Sequence, residues 1–73
     1  MTAQSDLFEK AAACDRLRNE ETDEVRKTAF RLLRDMWIAL AKESSEMSRR
    51  ELAQEVAAIE AIQVGLQRTN NPR

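Results

Sequence analysis

Residues 25–41 read VRKTAFRLLRDMWIALA and hold the widest run of large apolar side chains in the chain, together with its only tryptophan. At about 100° per residue, Val25, Ala29, Leu32, Leu33, Met36, Leu40 and Met47 fall on one stripe of an α-helix, with Phe30, Trp37 and Ala41 on its flank. The apolar arc covers about 200°, against the roughly 100° of an ordinary surface helix. One neighbouring helix does not cover such an arc. The pattern predicts two neighbours, either both from this chain or one from a second copy. Glu24, Lys27, Arg31, Arg34, Asp35 and Lys42 line the opposite, solvated side. Ile38 lies among them and is expected to be an isolated exposed aliphatic residue. The spacing of Trp37 from Phe30, Leu33 and Leu40 is that of a helical core position.

The rest of the composition agrees with helix. Gly65 and Pro72 are the only residues of their kinds and both lie near the C-terminus, while Ala, Glu, Arg and Leu dominate. The apolar share is 42%, but eleven of those residues are alanine, so large side chains are scarce. A 73-residue chain is one domain whose core contributes only about 3–5 kcal/mol, a shortage that oligomerisation relieves.

Working outward on the N-terminal side, residues 1–4 are expected to be loose. Asp6 followed by Glu9, with Ser5 as a competing cap, has the spacing of a helix-initiating box, which opens a helix running to about residue 18. Its inner stripe, Leu7, Ala11, Cys14 and Leu17 with Phe8 at the edge, is thin and made largely of small side chains, a face that lets a second helix approach closely. Asn19 to Thr22 form a short polar link, which implies antiparallel neighbours. Thr22 or Asp23 caps the central helix, and Asp23 and Glu24 put negative charge at the positive end of its dipole.

Ala11, Cys14 and Leu17 (A-x-x-C-x-x-L), Thr22, Asp23 and Arg26 at the turn, and Leu33, Trp37, Leu40 and Ala41 (L-x-x-x-W-x-x-L-A) together resemble a group of short, uncharacterised proteobacterial proteins built on a helical hairpin. The resemblance covers about half the chain. Two positions depart from the group: Glu24 stands where a proline often follows the Asp23 position, and Leu7 stands where an aromatic residue often precedes the alanine. The resemblance implies a fold, and it brings no activity with it.

On the C-terminal side, Ser48 and Glu51 form a capping box S-x-x-E, with Met47 and Leu52 placed as its hydrophobic staple, so a third helix starts at residue 49. Leu52, Val56, Ile59, Gln63 and Leu66 recur at alternating steps of four and three, a two-heptad seam long enough to pack on the central helix and too short for a free-standing coiled coil. Gln63 interrupts the seam. It either pairs with its own copy across a two-fold axis or reaches water near a fraying end. Gly65 ends the helix, or the helix continues through Leu66 and Arg68 until Asn70, Asn71 and Pro72 stop it. The predicted helices are thus about 6–18, 23–43 and 49–66, with residues 69–73 a loose tail.

The functional classes narrow in the same way. The chain has no histidine, no glycine-rich loop and one cysteine, so the usual acid, base, nucleophile and phosphate-binding parts of an enzyme are missing and no catalytic, cofactor or metal site is expected. Cys14 lacks a partner to activate it and reads as a packing thiol. The acidic run Glu20, Glu21, Asp23 and Glu24 lacks the glycine turn and ligand spacing of a calcium loop, and reads as capping and solvation. No apolar run has the length of a membrane span and the N-terminus lacks a signal core, which predicts a soluble, cytoplasmic protein with no membrane partner. Net charge is −1, distributed as −4 over residues 1–25, +4 over 26–50 and −1 over 51–73. A chain so polarised satisfies itself within a hairpin or across a dimer before an outside polyanion is needed.

The expectation is therefore an all-α domain, an antiparallel hairpin plus a third helix, with the small bundle completed by oligomerisation, a dimer by preference. Phe30, Leu33, Trp37, Leu40, Leu52, Val56, Ile59 and Gln63 are the expected oligomer interface. An unidentified protein partner fits the same features. The competing reading is a nucleic-acid-binding regulator using Arg26, Lys27, Arg31, Arg34, Arg49 and Arg50; the acidic overall charge opposes it.

Overall fold

A computed structural model describes residues 3–68, which form three helices joined by short connections: α1 (Ala3–Glu20), α2 (Glu24–Glu43) and α3 (Arg49–Arg68). A single 3-10 turn, Ser44–Glu46, leads from α2 toward α3. Among the described residues every regular element is helical, and the molecule measures 39 × 20 × 19 Å.

Helices α1 and α2 pack closely along their length as an antiparallel hairpin, and α3 rests on the hairpin more loosely. The close approach follows from side-chain size. Ala11, Cys14 and Ala41 are all buried at the seam, and none projects far enough to hold two helix axes apart. Leu7, Phe30, Leu33, Trp37, Leu40 and Ile59 complete the buried core, with Leu17, Ile38, Met47, Leu52, Val56 and Leu66 packed around it.

The connections are set by local chemistry. Asp23 is the N-cap of α2, and its carboxylate accepts from the backbone N–H of Arg26 at 2.9 Å. At α3 the capping box is complete: the Glu51 N–H donates to Ser48 Oγ at 3.1 Å, and the Ser48 N–H donates to Glu51 Oε1 at 3.0 Å. Met47 and Leu52 on either side of it are half-buried against the core. The end of α2 is closed by Ser44, whose hydroxyl and backbone N–H both donate to the Ala41 carbonyl.

Several expectations are corrected. Helix α1 begins at Ala3 and not at Asp6, so Ala3 and Gln4 are helical; the Gln4 side-chain amide donates to the Ala41 carbonyl at 3.1 Å, which ties this end of α1 to the end of α2. Asp6 and Glu9 consequently lie inside the helix and do not form its cap. The helix continues to Glu20, leaving only residues 21–23 as the turn. Helix α3 passes through Gly65 to Arg68. Residues 1–2 and the expected tail at 69–73 lie outside the described residues.

The largest correction concerns the rotation of α2. Its buried line is Phe30, Leu33, Trp37, Leu40 and Ala41, the residues assigned to the flank together with only two of the stripe. Three members of the expected stripe face solvent: Val25 is 77% exposed, Leu32 51% and Met36 39%. Ile38, expected on the open polar side, is half-buried against the core. The cause is where α1 lands. It covers the Ile38 and Ala41 side of α2, and the whole apolar arc is displaced relative to its cover.

Candidate protein-interaction surface

Three helices meet at one side-chain amide. Gln63 on α3 accepts at Oε1 from Trp37 Nε1 on α2 at 3.2 Å and from Cys14 Sγ on α1 at 3.4 Å. Trp37 and Cys14 are the two largest completely buried side chains, so the indole N–H and the thiol both depend on this acceptor. Gln63 is half-buried, and within the chain its oxygen is engaged. The acceptor serves two buried donors of the core, a role that neither a place on a two-fold axis nor a fraying end suggests. Burial pushes the Cys14 thiol above its ordinary pKa, which outweighs the opposing hydrogen bond with Trp37. A thiol in this state is a weak nucleophile.

Arg26 fastens the far end of α3. Its Nη1 donates to the Leu66 carbonyl at 2.7 Å, satisfying one of the last carbonyls of α3 at the negative end of the helix dipole. Its Nε donates to Glu21 Oε1 at 3.0 Å, and its guanidinium lies 5.5 Å from the Phe30 ring centre. The third tie is Lys10, which pairs with Glu60 at 3.0 Å while its ammonium sits 5.5 Å from the Trp37 ring centre.

The eight residues expected at an oligomer interface are thus engaged inside one chain. Phe30, Leu33, Trp37, Leu40 and Ile59 are buried, Leu52 and Val56 are half-buried beside them, and Gln63 is the acceptor just described. A second copy reaches the buried five only by displacing the helices that cover them. The apolar surface that is open lies elsewhere. Val25, Leu32 and Met36 on α2 form a band at helical spacing, and Ile62 on α3, 52% exposed, lies across a groove from Met36. Between the two helices runs a shallow groove of about 260 Å³ lined by Met36, Ala39, Leu40, Ala58, Ile59 and Ile62, with Glu43 and Glu55 also on its wall. Sequence reasoning placed Val25, Leu32 and Met36 on the stripe to be covered and left Ile62 unassigned. The signal for them was the excess width of the α2 arc; the sequence does not say which edge of that arc is left over.

The basic face of α2 is largely neutralised by neighbouring carboxylates. Lys27 lies 3.7 Å from Glu24, Arg31 lies 3.9 Å from Asp35, and Arg34 bridges Asp15 at 3.1 Å and Asp35 at 2.9 Å. Each contact draws positive charge away from a would-be phosphate surface. The Arg34 bridge also spans α1 and α2, joining the acidic and basic segments of the sequence within the hairpin.

Among the described residues no group of histidine, cysteine, aspartate and glutamate side chains is arranged to hold a metal ion, and no helix is long and apolar enough to cross a membrane. No protein family, curated protein or solved structure matches the chain.

Proposed function

We propose that this protein is a helical interaction module that self-associates through the apolar band on the outer side of α2 and α3. One observation carries the reading: of the six large apolar side chains left exposed among the described residues, Phe8 and Val64 are exposed apart from the α2–α3 groove, while Val25, Leu32 and Met36 stand in line on α2 and Ile62 shares that groove with Met36. Apolar surface grouped in this way is the usual mark of an interface. Scattered exposure of single residues needs no explanation, but these four adjoin a common groove or continue its line along α2. Burying them against another surface also supplements a core that is small for independent folding.

Sedimentation equilibrium over a range of concentrations tests the reading. The wild-type chain is expected to show a mass above that of the 8.4 kDa monomer, with concentration-dependent dissociation. Leu32→Glu and Met36→Glu are expected to abolish association while leaving the helical circular dichroism and a cooperative melt, because both side chains already contact solvent. A wild-type monomer at millimolar concentration, or association unaffected by both substitutions, overturns it.

A further inference from the structure

We infer that the α2–α3 connection is a hinge at Met47 and Ser48, and that α3 swings out on it to exchange with the α3 of a second copy, giving a dimer in which each hairpin carries its partner's third helix. The inference does not rest on the outer apolar band, which each rebuilt bundle still presents.

The backbone of the connection is already close to helical. Glu43 (φ −97°, ψ −4°) and Ser44 (φ −62°, ψ −31°) are right-handed, and Ser44–Glu46 is a 3-10 turn. The break falls at Met47, extended at φ −104° and ψ 148°, and at Ser48, whose side chain caps α3. Neither glycine nor proline stands between Glu24 and Gly65, so no residue type forbids helix at the connection. What interrupts the helix is the Ser48–Glu51 capping box and the packing of Met47 on the core. Turning ψ of Met47 to about −42°, with Ser48 following, joins α2 and α3 into one helix. The N–H groups of residues 47–51 then meet the carbonyls of residues 43–47, so the open end of one helix satisfies the open start of the next.

What α3 uncovers on leaving selects its replacement. In the closed chain α3 runs antiparallel to α2: the Leu66 carbonyl near its end is bonded to Arg26 near the start of α2, and Gln63 meets Trp37. Once α3 is detached, the Trp37 indole N–H and the Cys14 thiol lose Gln63 Oε1, and buried apolar surface is opened to water. A second opened copy offers the same α3 in the same direction. Two continuous helices laid side by side and antiparallel put each α2 against the partner's α3, and the contacts made to Glu60, Gln63 and the Leu66 carbonyl are rebuilt between chains. The third helix is the one to exchange, because Ile59 is its one fully buried residue, whereas α1 and α2 share the close seam of Ala11, Cys14 and Ala41. The exchange is isologous and closes at two copies.

Lys10 on α1 and Glu60 on α3, exposed and 3.0 Å apart, report it. Lys10→Cys and Glu60→Cys chains are mixed in urea, refolded together at high concentration, and treated with a short bis-maleimide, which the buried Cys14 escapes. A covalent heterodimer is expected. Arg49→Pro in both chains is expected to lower its yield more than about tenfold while leaving a helical circular dichroism spectrum: proline suits the first position of α3, but in a continuous helix it excludes Ser48 from helical geometry and clashes with the carbonyl of residue 45. Ser48→Ala in both chains removes the cap of the closed form and is expected to raise the yield severalfold. No cross-linked heterodimer, or a yield that neither Arg49→Pro nor Ser48→Ala changes, overturns the exchange. Leu32→Glu in both chains separates it from the outer band. A heterodimer that persists with Leu32→Glu supports the exchange, whereas association that Leu32→Glu abolishes, with no heterodimer formed, overturns the exchange and leaves the band standing.

Discussion

The indole N–H of Trp37 and the thiol of Cys14 converge on one oxygen, Gln63 Oε1, at 3.2 and 3.4 Å. An apolar residue at position 63 would complete the heptad seam of α3, and it would leave two buried donors without an acceptor. The polar interruption therefore belongs to the core. It fixes the register of the most loosely held helix against the hairpin.

Gln63→Leu is expected to lower the unfolding free energy by about 1–3 kcal/mol, the cost of stranding buried donors, despite adding apolar surface. Gln63→Glu retains an acceptor and is expected to cost less near neutral pH. Urea unfolding followed by the fluorescence of Trp37, the sole tryptophan, measures both. A stabilised Gln63→Leu chain would show that the hub is not a structural requirement.

The same geometry controls the reactivity of Cys14. The thiol is 0% exposed, and burial raises its pKa. Native protein is expected to react with an aromatic disulfide reagent at least about a hundredfold more slowly than urea-unfolded protein, since modification requires an opening of the core worth about 3 kcal/mol or more. Native and unfolded rates that coincide would place the sulfur at the surface.

Capping gives an independent local test. Ser48→Ala removes the acceptor of the Glu51 N–H and is expected to cost about 1 kcal/mol, with Ser45→Ala, at an exposed position outside the box, close to neutral. Thermal or urea melts of the two variants compare them directly.

How far the sequence reaches is clear from particular residues. Ser48, Glu51 and the small stripe Ala11 and Cys14 were legible because capping and close helix approach are local properties, fixed by residues a few positions apart. The orientation of α2 was not. Its apolar arc is too wide to have an evident centre, and only the landing of α1 on the Ile38 side determines which edge is covered. For Gln63 the pattern showed an anomaly in a seam; its partners lie 26 and 49 positions away, beyond the reach of periodicity.

This rotation of α2 has a measurable consequence. At concentrations where the chain is monomeric, Ile38→Ala is expected to cost more than Leu32→Ala, by about 1 kcal/mol, because Ile38 packs on the core and Leu32 is half exposed. At high concentration the order narrows as Leu32 enters the proposed dimer contact. Equal costs in the monomer would return the centre of the buried face to where the sequence pattern alone set it.

Acid should loosen the molecule at two points. Hydrogen bonds from Arg18, then from Arg34, hold the Asp15 carboxyl below its ordinary value of 3.8. The side chain of Arg26, then the backbone N–H of Asp23, holds Glu21 below 4.5. Unfolding returns both groups to their ordinary values, so in this range the unfolded chain binds more protons than the folded one and stability rises with pH. The contribution is fully present above those ordinary values and is lost as the pH falls through the lowered folded ones. Asp15→Asn and Glu21→Gln should each flatten the fall in stability between about pH 5 and pH 2. Glu21→Gln carries the additional effect of loosening Arg26 from the turn, and with it the bond from Arg26 to the Leu66 carbonyl that fastens the end of α3. Amide hydrogen exchange read along α3 near pH 4 is expected to be faster toward Leu66 in this variant than in the wild type. Unchanged protection there would mean that the Arg26 bond does not hold the end of α3.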